Sequence, residues 1–434
     1  MNATQLPHDA AAAHTAIIRD VLKVGMQVGE VGEKGSSREI LGYTTGMSNP
    51  LARVSVSEGS ALNVVAAVAR FVWMVSGSDR VADIAYYEPR VRSYTDDGLA
   101  VPGSSYGKRI FNASPGTNQM TGVVKELKAN SDSRRAAAVV WLPEDAVRKS
   151  GDIPCTFGLF FHIREGGLTM TTVMRSNNAV TLVPYNFFEF SMLGELVASE
   201  IGVPFVRYVH WAASMHIYDN MTERAGAIAG QASPRAITMP PMPAGNAMEQ
   251  GRMLAIHEAA LRHANTLDEL RDVAAAAHEE LDEYWTALFD VLHAYGLAKR
   301  QHREEAKDVL EGLPDYFAQG AAGSVLKALK PDEPVLSGSD NALFDLDDIT
   351  ALNTPGSAAS VATVVRAADV DDVLEMLETL SSEIDPVTIT EANAVRRIIA
   401  EDGYALAARG SNAAPRVEID QVSAALEKLR RRPS

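Results

Sequence analysis

Cys155 is the residue of this chain best suited to nucleophilic chemistry. It is the single cysteine among 434 residues, and it follows Pro154 directly ahead of an apolar run, residues 157–162. A thiol attacks as its thiolate, and because a free thiol has a pKa of about 8.5, nearby positive charge must favour its ionisation. Arg175 is a candidate to supply that charge. A lone thiol is otherwise most often an inert small hydrophobic residue, and that interpretation stays open.

Four groups of polar residues accompany the thiol along the chain. They are Asp132-Ser133-Arg134-Arg135, Arg175-Ser176-Asn177-Asn178, Val183-Pro184-Tyr185-Asn186 and His216-Ile217-Tyr218. The planar fork of arginine can bind two oxygens of a phosphate, and an amide offers a pyrimidine both a donor and an acceptor. Taken singly, each has an ordinary interpretation. Arg134 and Arg135 would form a solvated surface pair, His216 would be a structural histidine, and Asn186 would cap the helix that follows it.

The hydrophobic pattern predicts the elements that would position these residues. It predicts helices over residues 10–29, 61–75 and 187–201, and strands over residues 136–142, 156–162, 168–174 and 205–218. Side chains two apart on a strand point to the same side, so His216 and Tyr218 would lie together. Because strands and helices are mixed without a repeating strand–helix period, we predict an α+β fold rather than a doubly wound sheet.

Composition excludes some classes of function. The formal net charge is −16 and the pI is near 5.1, which disfavours binding to polymeric nucleic acid. We find no stretch of about 20 apolar residues that would cross a membrane and no secretory signal. One cysteine cannot form an internal disulfide, so we expect a cytoplasmic protein.

The order of Pro-Cys, Arg-Ser and Pro-Tyr-Asn, with the spacings between them, resembles the thymidylate synthase family, including its pyrimidine-nucleotide hydroxymethylase branch. The resemblance covers residues 10–230. It implies a thymidylate synthase-like sheet-and-helix domain, an obligate homodimer and 5,10-methylenetetrahydrofolate as the cofactor. It also gives Cys155 a role: the thiolate adds to C6 of a pyrimidine nucleotide, which makes C5 nucleophilic towards a one-carbon unit.

The resemblance implies roles for the other residues as well. Arg175 and Ser176 would hold the nucleotide phosphate, joined by Arg134 and Arg135 from the partner subunit. Asn186 would read the base and favours a uracil over a cytosine nucleotide, because an amide can pair with both O4 and N3–H. His216 and Tyr218 would bind the sugar 3′-hydroxyl. Tyr106, in Tyr106-Gly107, resembles a residue of the catalytic cleft, and Arg38 is a phosphate candidate at the end of a Gly- and Ser-rich loop, residues 32–38.

Several positions depart from the family pattern. Arg70 stands where the family has a Glu that organises proton transfer at O4, and an arginine does not act as a general acid or base near neutral pH, although it could stabilise an enolate. On the folate side, Asn178 replaces an Asp, Tyr94 aligns with a shielding Trp, and Tyr185 is expected beside the cofactor. Thr156 replaces the usual His after the catalytic cysteine.

Beyond residue 235 the family pattern fades. We divide the chain into a catalytic domain over 1–235, a helical extension over 236–330, a linker over 331–360 and a small helical C-terminal segment over 361–434. Helices are predicted over residues 246–264, 266–297, 299–312, 370–384, 391–401 and 420–432. We find no metal-ligand spacing in this region.

The sequence therefore favours folate-dependent C5 hydroxymethylation of a pyrimidine mononucleotide, dUMP or UMP, through covalent addition of Cys155. Features suited to folate-dependent hydride transfer are weakened, which is why hydroxymethylation is preferred to methylation. Two alternatives stay open. One is thymidylate synthase-type methylation of dUMP, and the other is a catalytically degenerate nucleotide-binding regulatory protein.

Overall fold

A mixed β-sheet forms the centre of this protein. The computed structural model describes residues 6–329 except 30–34, 58, 60–61 and 114–116. Its strands are β1 Met26–Val28, β2 Ser37–Met47, β3 Val54–Ser55, β4 Ala137–Val139, β5 Thr156–Arg164, β6 Gly167–Met174, β7 Asn177–Asn178, β8 Phe205–Tyr218 and β9 Ala236–Ile237. The main sheet has the order β1-β2-β8-β6-β5-β4, with β7 also paired to β8, while β3 and β9 form a separate two-stranded sheet. Strands β6 and β7 run parallel to β8, and the other pairs are antiparallel.

Twelve α-helices lie within the described ranges. They are α1 Ala10–Val24, α2 Val64–Ser76, α3 Val81–Ala85, α4 Tyr106–Phe111, α5 Gln119–Ala129, α6 Val183–Ile201, α7 Thr222–Ala229, α8 Ala247–His263, α9 Leu267–Glu280, α10 Glu283–Lys299, α11 Arg303–Gly312 and α12 Asp315–Ala328. Short 3₁₀ helices cover Pro89–Tyr94, Pro143–Ala146 and Asp219–Met221. The mixture of helices and strands confirms the predicted α+β class, with an all-helical region at the end of the described chain.

Helix α6 is the central helix. Nearly every residue from Val183 to Ser199 is buried, as expected for a helix that is apolar on all sides. It packs on β6 and β8 of the sheet and on α1, α2, α5 and α8. Proline near its first position favours initiation, and Gly202 ends it in the left-handed conformation with φ 83°. The few polar side chains on this helix are therefore placed deep in the molecule.

The other face of the sheet carries a half-exposed apolar band. Trp211 on β8 pairs with Val173 on β6, and Phe160 on β5 pairs with Thr171. Trp211 and Val173 are partly exposed and Phe160 is exposed, whereas their neighbours His210, Ala212 and Met174 are buried. The alternation shows that one side of these strands faces α6 and the core, and the other side is left more open.

Helices α8 to α12 pack directly against the sheet domain. Helix α2 contacts α8, α10 and α12, and the ring of Phe71 lies 6.3 Å from that of Trp285 on α10. All the described residues belong to one compact unit. Within it, the chain becomes all-helical after β9, which ends at Ile237. The predicted linker over 331–360 and the helices over 370–384, 391–401 and 420–432 fall on residues that are not described.

Several element boundaries differ from prediction. Helix α1 ends at Val24, because the chain turns at Gly25 into β1. The predicted helix over 266–297 is wrong as a single element: Leu281 is extended, with φ −97° and ψ 140°, so α9 ends and α10 begins after Asp282. Strand β2 and helix α12 were not predicted. Among the described residues, no helix has both the length and the apolar character needed to span a membrane.

Candidate active site

Cys155 lies in the loop that enters β5, and its side chain is half-buried. The loop is fixed on both sides. The backbone N–H of Arg175 donates to the carbonyl oxygen of Cys155 over 2.8 Å. On the other side, the buried carboxylate of Asp152 accepts from the backbone N–H groups of Gly103 and Ser104 at 2.8 and 2.7 Å. The thiol is therefore carried by a short, firmly hydrogen-bonded segment.

Arg175 brings positive charge to this segment. Its Nε donates to the carbonyl oxygen of Pro154 and its Nη2 to that of Ile153, each over 2.9 Å. Its guanidinium also lies 5.8 Å from the ring centroid of Trp141, a distance at which a cation is attracted to the ring face. Arg175 thus lies next to the loop that carries Cys155, and its predicted effect on the thiol stays a prediction. Its predicted contact with a phosphate stays a prediction.

Tyr106 lies between the thiol loop and helix α6. Its ring stacks on Phe190 at 6.1 Å. Burial, followed by the charge of Cys155, raises the pKa of Tyr106 above its usual value. The following residue, Gly107, has no room for a side chain, since a Cβ there would lie 2.0 Å from the carbonyl oxygen of Met74. This close approach of α4 to α2 explains the Tyr-Gly pair.

Asn186 is held by a chain of hydrogen bonds that runs back to β8. Tyr208 donates to Nδ1 of His210 at 2.9 Å, and His210 Nε2 donates to Asn177 Oδ1 at 2.9 Å. Asn177 Nδ2 then donates to Asn186 Oδ1 at 2.8 Å. Burial lowers the pKa of His210 to about 3, so the ring is neutral and carries one N–H. We call the hydrogen-bonded chain Tyr208–His210–Asn177 the relay. It holds the oxygen of the Asn186 amide, so the amide nitrogen faces away from the relay.

The predicted capping role of Asn186 is wrong. Helix α6 begins at Val183 with Leu182 as its N-cap, so Asn186 lies in its first turn. Pro184 is the second residue of the helix, a position at which proline is well tolerated.

His216 and Tyr218 lie together, as their spacing on a strand predicted, and Ser176 lies beside them. The hydroxyl of Ser176 lies 3.4 Å from Nδ1 of His216. The rings of His216 and Tyr218 are 4.9 Å apart on β8. The pairing of Asn178 with His216 places β7 beside this pair. Three polar side chains with hydroxyl or imidazole groups thus line one short stretch, which suits a sugar and phosphate.

Arg70 forms a buried ion pair with a residue that the sequence analysis did not single out. Its Nη2 lies 2.6 Å from Oε1 of Glu189, and both side chains are less than a tenth exposed. The guanidinium also lies 4.9 Å from the ring centroid of Tyr185. Nη1 of Arg70 and the hydroxyl of Tyr185 are buried without a hydrogen-bond partner among the described residues. Burial raises the pKa of Glu189 to about 7, although Arg70 acts to lower it.

The Arg134-Arg135 pair lies far from Cys155 of the same chain. The N–H of Phe161 donates to the carbonyl of Ala136, so the arginines lie beside the far end of β5. At about 3.3 Å per residue, the seven residues from Cys155 to His162 span roughly 20 Å. Both arginines are exposed. Their predicted role across a subunit interface stays a prediction, and a role in the same chain's site does not fit.

Arg38 lies on β2 rather than in a loop. It pairs with Ile217, whereas His216 pairs with Glu39. Residues directly opposite each other on paired strands share a face, so Arg38 lies on the opposite side of the sheet from His216. Its Nη1 donates to the carbonyl oxygen of Leu22 over 3.4 Å. Residues 32–34 of the predicted phosphate loop are not described, and the phosphate contact of Arg38 stays a prediction.

The three residues expected to bind folate are all buried. Asn178 uses its amide oxygen to accept from the N–H groups of Val180 and Thr181 at 2.9 and 3.1 Å, so this oxygen shapes the turn into α6. Tyr94 is buried in the 3₁₀ helix Pro89–Tyr94. Tyr185 offers an unpartnered hydroxyl. Of the three, the geometry of Tyr185 fits a bound group, and the folate contacts stay predictions.

Four residues of this site were missed by sequence reasoning. Glu189 follows Asn186 by three residues, so a helical reading of this segment would have placed both on one face. Asn177 and Asp152 were quoted only as neighbours of Arg175 and Cys155. His210 gave no signal, because its partners are brought together by β7 and β8. Within the described ranges, no group of three or more His, Cys, Asp or Glu side chains could hold a metal ion.

Comparison with known proteins agrees with this geometry. The family model described as thymidylate synthase matches residues 14–243, which is more than half of the chain. The chain belongs to the thymidylate synthase family.

Curated relatives are similar at low identity. A deoxyuridylate hydroxymethyltransferase of Bacillus phage SP01 is 28% identical over 218 residues, covering 47% of this chain and 57% of that protein. A second, of Pseudomonas phage M6, is 33% identical over 165 residues, covering 37% and 46%. A protein named "Putative thymidylate synthase" from Methanocaldococcus jannaschii is 34% identical over 142 residues, covering 30% and 64%. The matched part of the chain thus spans between 46% and 64% of these relatives' lengths.

Proposed function

We propose that this protein transfers a one-carbon unit to C5 of a uracil mononucleotide, dUMP or UMP, and releases the hydroxymethyl product. The observation that carries the proposal is the placement of Cys155 beside Arg175 on the fixed loop before β5. Family membership supplies the reaction class, because C5 becomes nucleophilic once a thiolate has added to C6. Two relatives that are named deoxyuridylate hydroxymethyltransferases support hydroxymethylation over methylation.

The direction of the Asn186 amide supports uracil. Its oxygen accepts from Asn177, which leaves the amide N–H as the group that meets the base. Uracil presents an acceptor, O4, where cytosine presents an amino donor. An amide N–H can donate to O4 of uracil, whereas at the amino group of cytosine it would face another donor. The remaining lone pair of Asn186 Oδ1 can accept from N3–H of uracil.

The residues of this chain then have the following roles. Cys155 Sγ adds to C6 and its electrons move the C5=C6 pair towards O4. Asn186 stabilises the charge on O4, and Arg175 with Ser176 holds the phosphate, joined by Arg134 and Arg135 of a second copy. When bound, 5,10-methylenetetrahydrofolate would supply a one-carbon unit at the oxidation level of formaldehyde. The proton on C5 would be lost as tetrahydrofolate leaves, water would then supply the hydroxyl group, and Cys155 would leave as C5=C6 re-forms.

The proposal is tested by product analysis. Full-length protein is incubated with dUMP, UMP or dCMP and 5,10-methylenetetrahydrofolate, and each nucleotide is identified by mass spectrometry. We expect a nucleotide heavier by a hydroxymethyl group from dUMP or UMP. A methyl product would establish thymidylate synthase-type chemistry instead. Absence of product with all three nucleotides would support a regulatory nucleotide-binding protein.

Replacement of the nucleophile tests the covalent step. Cys155→Ser is expected to abolish turnover, because a hydroxyl is a far weaker nucleophile than a thiolate, while nucleotide affinity changes little. Isothermal titration with dUMP measures the affinity and the product assay measures turnover. Cys155→Ala is the companion variant, since it also lacks the thiol but adds no hydroxyl. Product formation by either variant at the wild-type rate would exclude a covalent role for Cys155.

A further inference from the structure

We infer that Glu189 is the catalytic acid–base group at the O4 edge of the bound pyrimidine, and that Arg70 holds it in place. The inference rests on the proposed function, since it assigns a role in that reaction. The ion pair joins two elements, α2 and α6, across 2.6 Å in the interior.

Helix geometry places Glu189 near the edge of the base that Asn186 reads. The two residues are three apart on α6, so they share a face and are separated by about 4.5 Å along the helix axis. Tyr185 is four residues before Glu189 and lies on the same side, under the guanidinium of Arg70. If Asn186 meets O4, the nearest acidic side chain on its helix face is Glu189.

Two polar groups beside this pair are free to bind a ligand. Arg70 Nη1 and the hydroxyl of Tyr185 are both buried and have no hydrogen-bond partner among the described residues. A buried donor without a partner costs roughly 1–3 kcal/mol, so such groups are normally satisfied. A nucleotide carbonyl oxygen is an acceptor that could satisfy them. The pair therefore has the open donors expected of a binding site.

A second buried ion pair on the same helix, Arg53 with Glu195, is a structural pair. Nε and Nη1 of Arg53 are also buried without a partner among the described residues, so the two pairs differ in the backbone bonds of their carboxylates rather than in open arginine donors. Glu195 contacts Arg53 at 2.5 Å, and both side chains are almost fully buried. Its other oxygen accepts from the backbone N–H of Met242 at 2.7 Å, and the hydroxyl of Tyr284 lies 3.4 Å away. Glu195 thus joins α6 to the chain that leads into the helical region. Glu189 has no comparable backbone bond among the described contacts.

The proton balance of the step is simple. When Cys155 Sγ bonds to C6, an electron pair moves to O4, and the carboxyl form of Glu189 gives its proton to O4. When C5 bonds to the one-carbon unit, the C4=O bond re-forms and the Glu189 carboxylate takes the same proton back. Glu189 ends as it began, and the proton that later leaves C5 passes to water. Arg70 stays charged throughout and stabilises the carboxylate form.

The surroundings of Glu189 suit this exchange. A group that both gives and takes a proton works best when its pKa lies near the working pH, and burial brings the pKa of Glu189 to about 7. The charged or titratable side chains that face it are Arg70 of α2, Tyr185 of α6, Tyr106 of α4 and Tyr208 of β8. Burial raises the pKa of all three tyrosines above the usual value, so they stay neutral.

The test compares two isosteric changes on one helix. Glu189→Gln keeps the volume and a contact with Arg70 but cannot exchange a proton, so kcat is expected to fall about 100-fold or more. KM for dUMP is expected to change little, and the inflection near pH 7 in the kcat profile is expected to disappear. Glu189→Asp should restore part of the rate together with the inflection. Glu195→Gln is the matched control and is expected to keep the wild-type pH profile even though it lowers stability.

The addition of Cys155 to dUMP can be followed without the one-carbon donor, and this gives a second readout. Addition at C6 removes the C5=C6 double bond, so the ultraviolet absorbance of dUMP falls when Cys155 adds. With dUMP alone, this change is expected in the wild type and in Glu195→Gln and to be strongly slowed in Glu189→Gln. If Glu189→Gln does not fold, the double variant Arg70→Gln/Glu189→Gln removes both charges of the pair and is used instead.

The outcomes separate the inference from the proposed function. A wild type that gives hydroxymethyl product, together with an unchanged kcat profile in Glu189→Gln, would overturn the inference alone. Equal losses in the Glu189 and Glu195 variants would also overturn it, because they would indicate a structural role. A wild type that gives no product and no absorbance change refutes the proposed function itself.

Discussion

At the residue scale, the direction of one hydrogen bond decides what Asn186 can offer to a base. An isolated asparagine could turn either end towards a ligand, but here Asn177 donates to its oxygen. Asn177 in turn accepts from His210, whose other nitrogen accepts from Tyr208. In the proposed site, the three residues behind Asn186 therefore set which end of its amide meets the base.

Asn177→Asp is expected to shift preference from uracil towards cytosine nucleotides. A carboxylate only accepts, so Asn186 must reverse its amide to donate to position 177, and its oxygen then faces the base. An oxygen pairs with the cytosine amino group and opposes uracil O4, and each mismatched hydrogen bond is worth roughly 1–3 kcal/mol. The ratio of kcat/KM for dUMP and dCMP measures the shift.

Asn186→Asp is the companion variant, since it changes the reading residue directly and is expected to shift the same ratio in the same direction. A ratio that moves with Asn186→Asp but stays fixed with Asn177→Asp would show that the relay does not orient the amide.

Sequence reasoning predicted residues that lie near each other along the chain or on one strand. Arg175 beside Cys155 and His216 beside Tyr218 follow from motif order and the period of a strand. Arg70 was singled out because it departs from the family pattern, but its partner was not. The Arg70–Glu189 pair joins helices more than a hundred residues apart, and a single sequence does not show which buried charges meet.

At the element scale, helix α6 combines recognition and structure. Its first turn carries Asn186, its second carries Glu189, and Glu195 lies two turns further on. Because the helix is buried on all sides, each of these polar groups needs a partner from another element. The sequence showed an apolar helix here but placed its start four residues late, so the polar face was not recognised.

The titration of the Glu189 carboxyl group should be visible in the pH dependence of the free energy of unfolding. Its pKa rises from a usual value of 4.5 to about 7 on folding, so between these values the folded protein binds more protons than the unfolded chain. By linkage, the free energy of unfolding falls as pH rises through this window. Relative to Glu189→Gln, the wild type should therefore be most stable below pH 4.5 and lose that advantage up to about pH 7. Urea unfolding at a series of pH values measures the difference.

Buried histidines change the free energy of unfolding in the opposite direction with pH. The wild type must therefore be compared with Glu189→Gln rather than measured alone. Burial lowers the pKa of His14 to about 4 and that of His210 to about 3. Their contribution to stability is lost as pH falls below the usual histidine value of 6.5, because the unfolded chain then binds protons that the folded protein does not. This term is common to both proteins and cancels. If the stability of the wild type relative to Glu189→Gln instead grows with pH between 4.5 and 7, then Arg70 lowers the pKa of Glu189 by more than burial raises it.

At the scale of the whole molecule, the sheet separates two surfaces. One face is covered by α1 and α6, and the other leaves Trp211, Val173 and Phe160 half-exposed. The exposed Arg134-Arg135 pair lies about 20 Å along β5 from Cys155. The predicted homodimer accounts for both features, because a second copy would cover the apolar band and bring its arginines to the neighbouring thiol. The cytoplasmic location stays a prediction.

Mixed dimers test the supply of arginines between subunits. Cys155→Ser and the double variant Arg134→Ala/Arg135→Ala are each expected to be inactive. After the two are mixed and allowed to exchange subunits, activity should return, because a hybrid dimer has one site with an intact thiol and intact arginines. Product formation in the mixture measures this recovery.

The control is the triple variant, mixed with itself under the same conditions, which has no intact site in any combination. Sedimentation velocity shows whether each protein is a dimer. Inactive mixtures of dimeric proteins that do exchange subunits would contradict a site shared between two chains.

Helix α2 carries Arg70 and is held in place by helices that lie past the end of the family match. That match ends at residue 243, whereas α8, α10 and α12 pack on α2 and the ring of Trp285 lies against Phe71. Gly320 of α12 comes so close that a Cβ there would lie 2.3 Å from a methyl group of Val64. An expression fragment trimmed to the boundary of the family domain would leave this side of α2 uncovered. The smallest unit worth producing for crystallisation or engineering therefore extends through residue 329, about 90 residues beyond the point where family similarity stops.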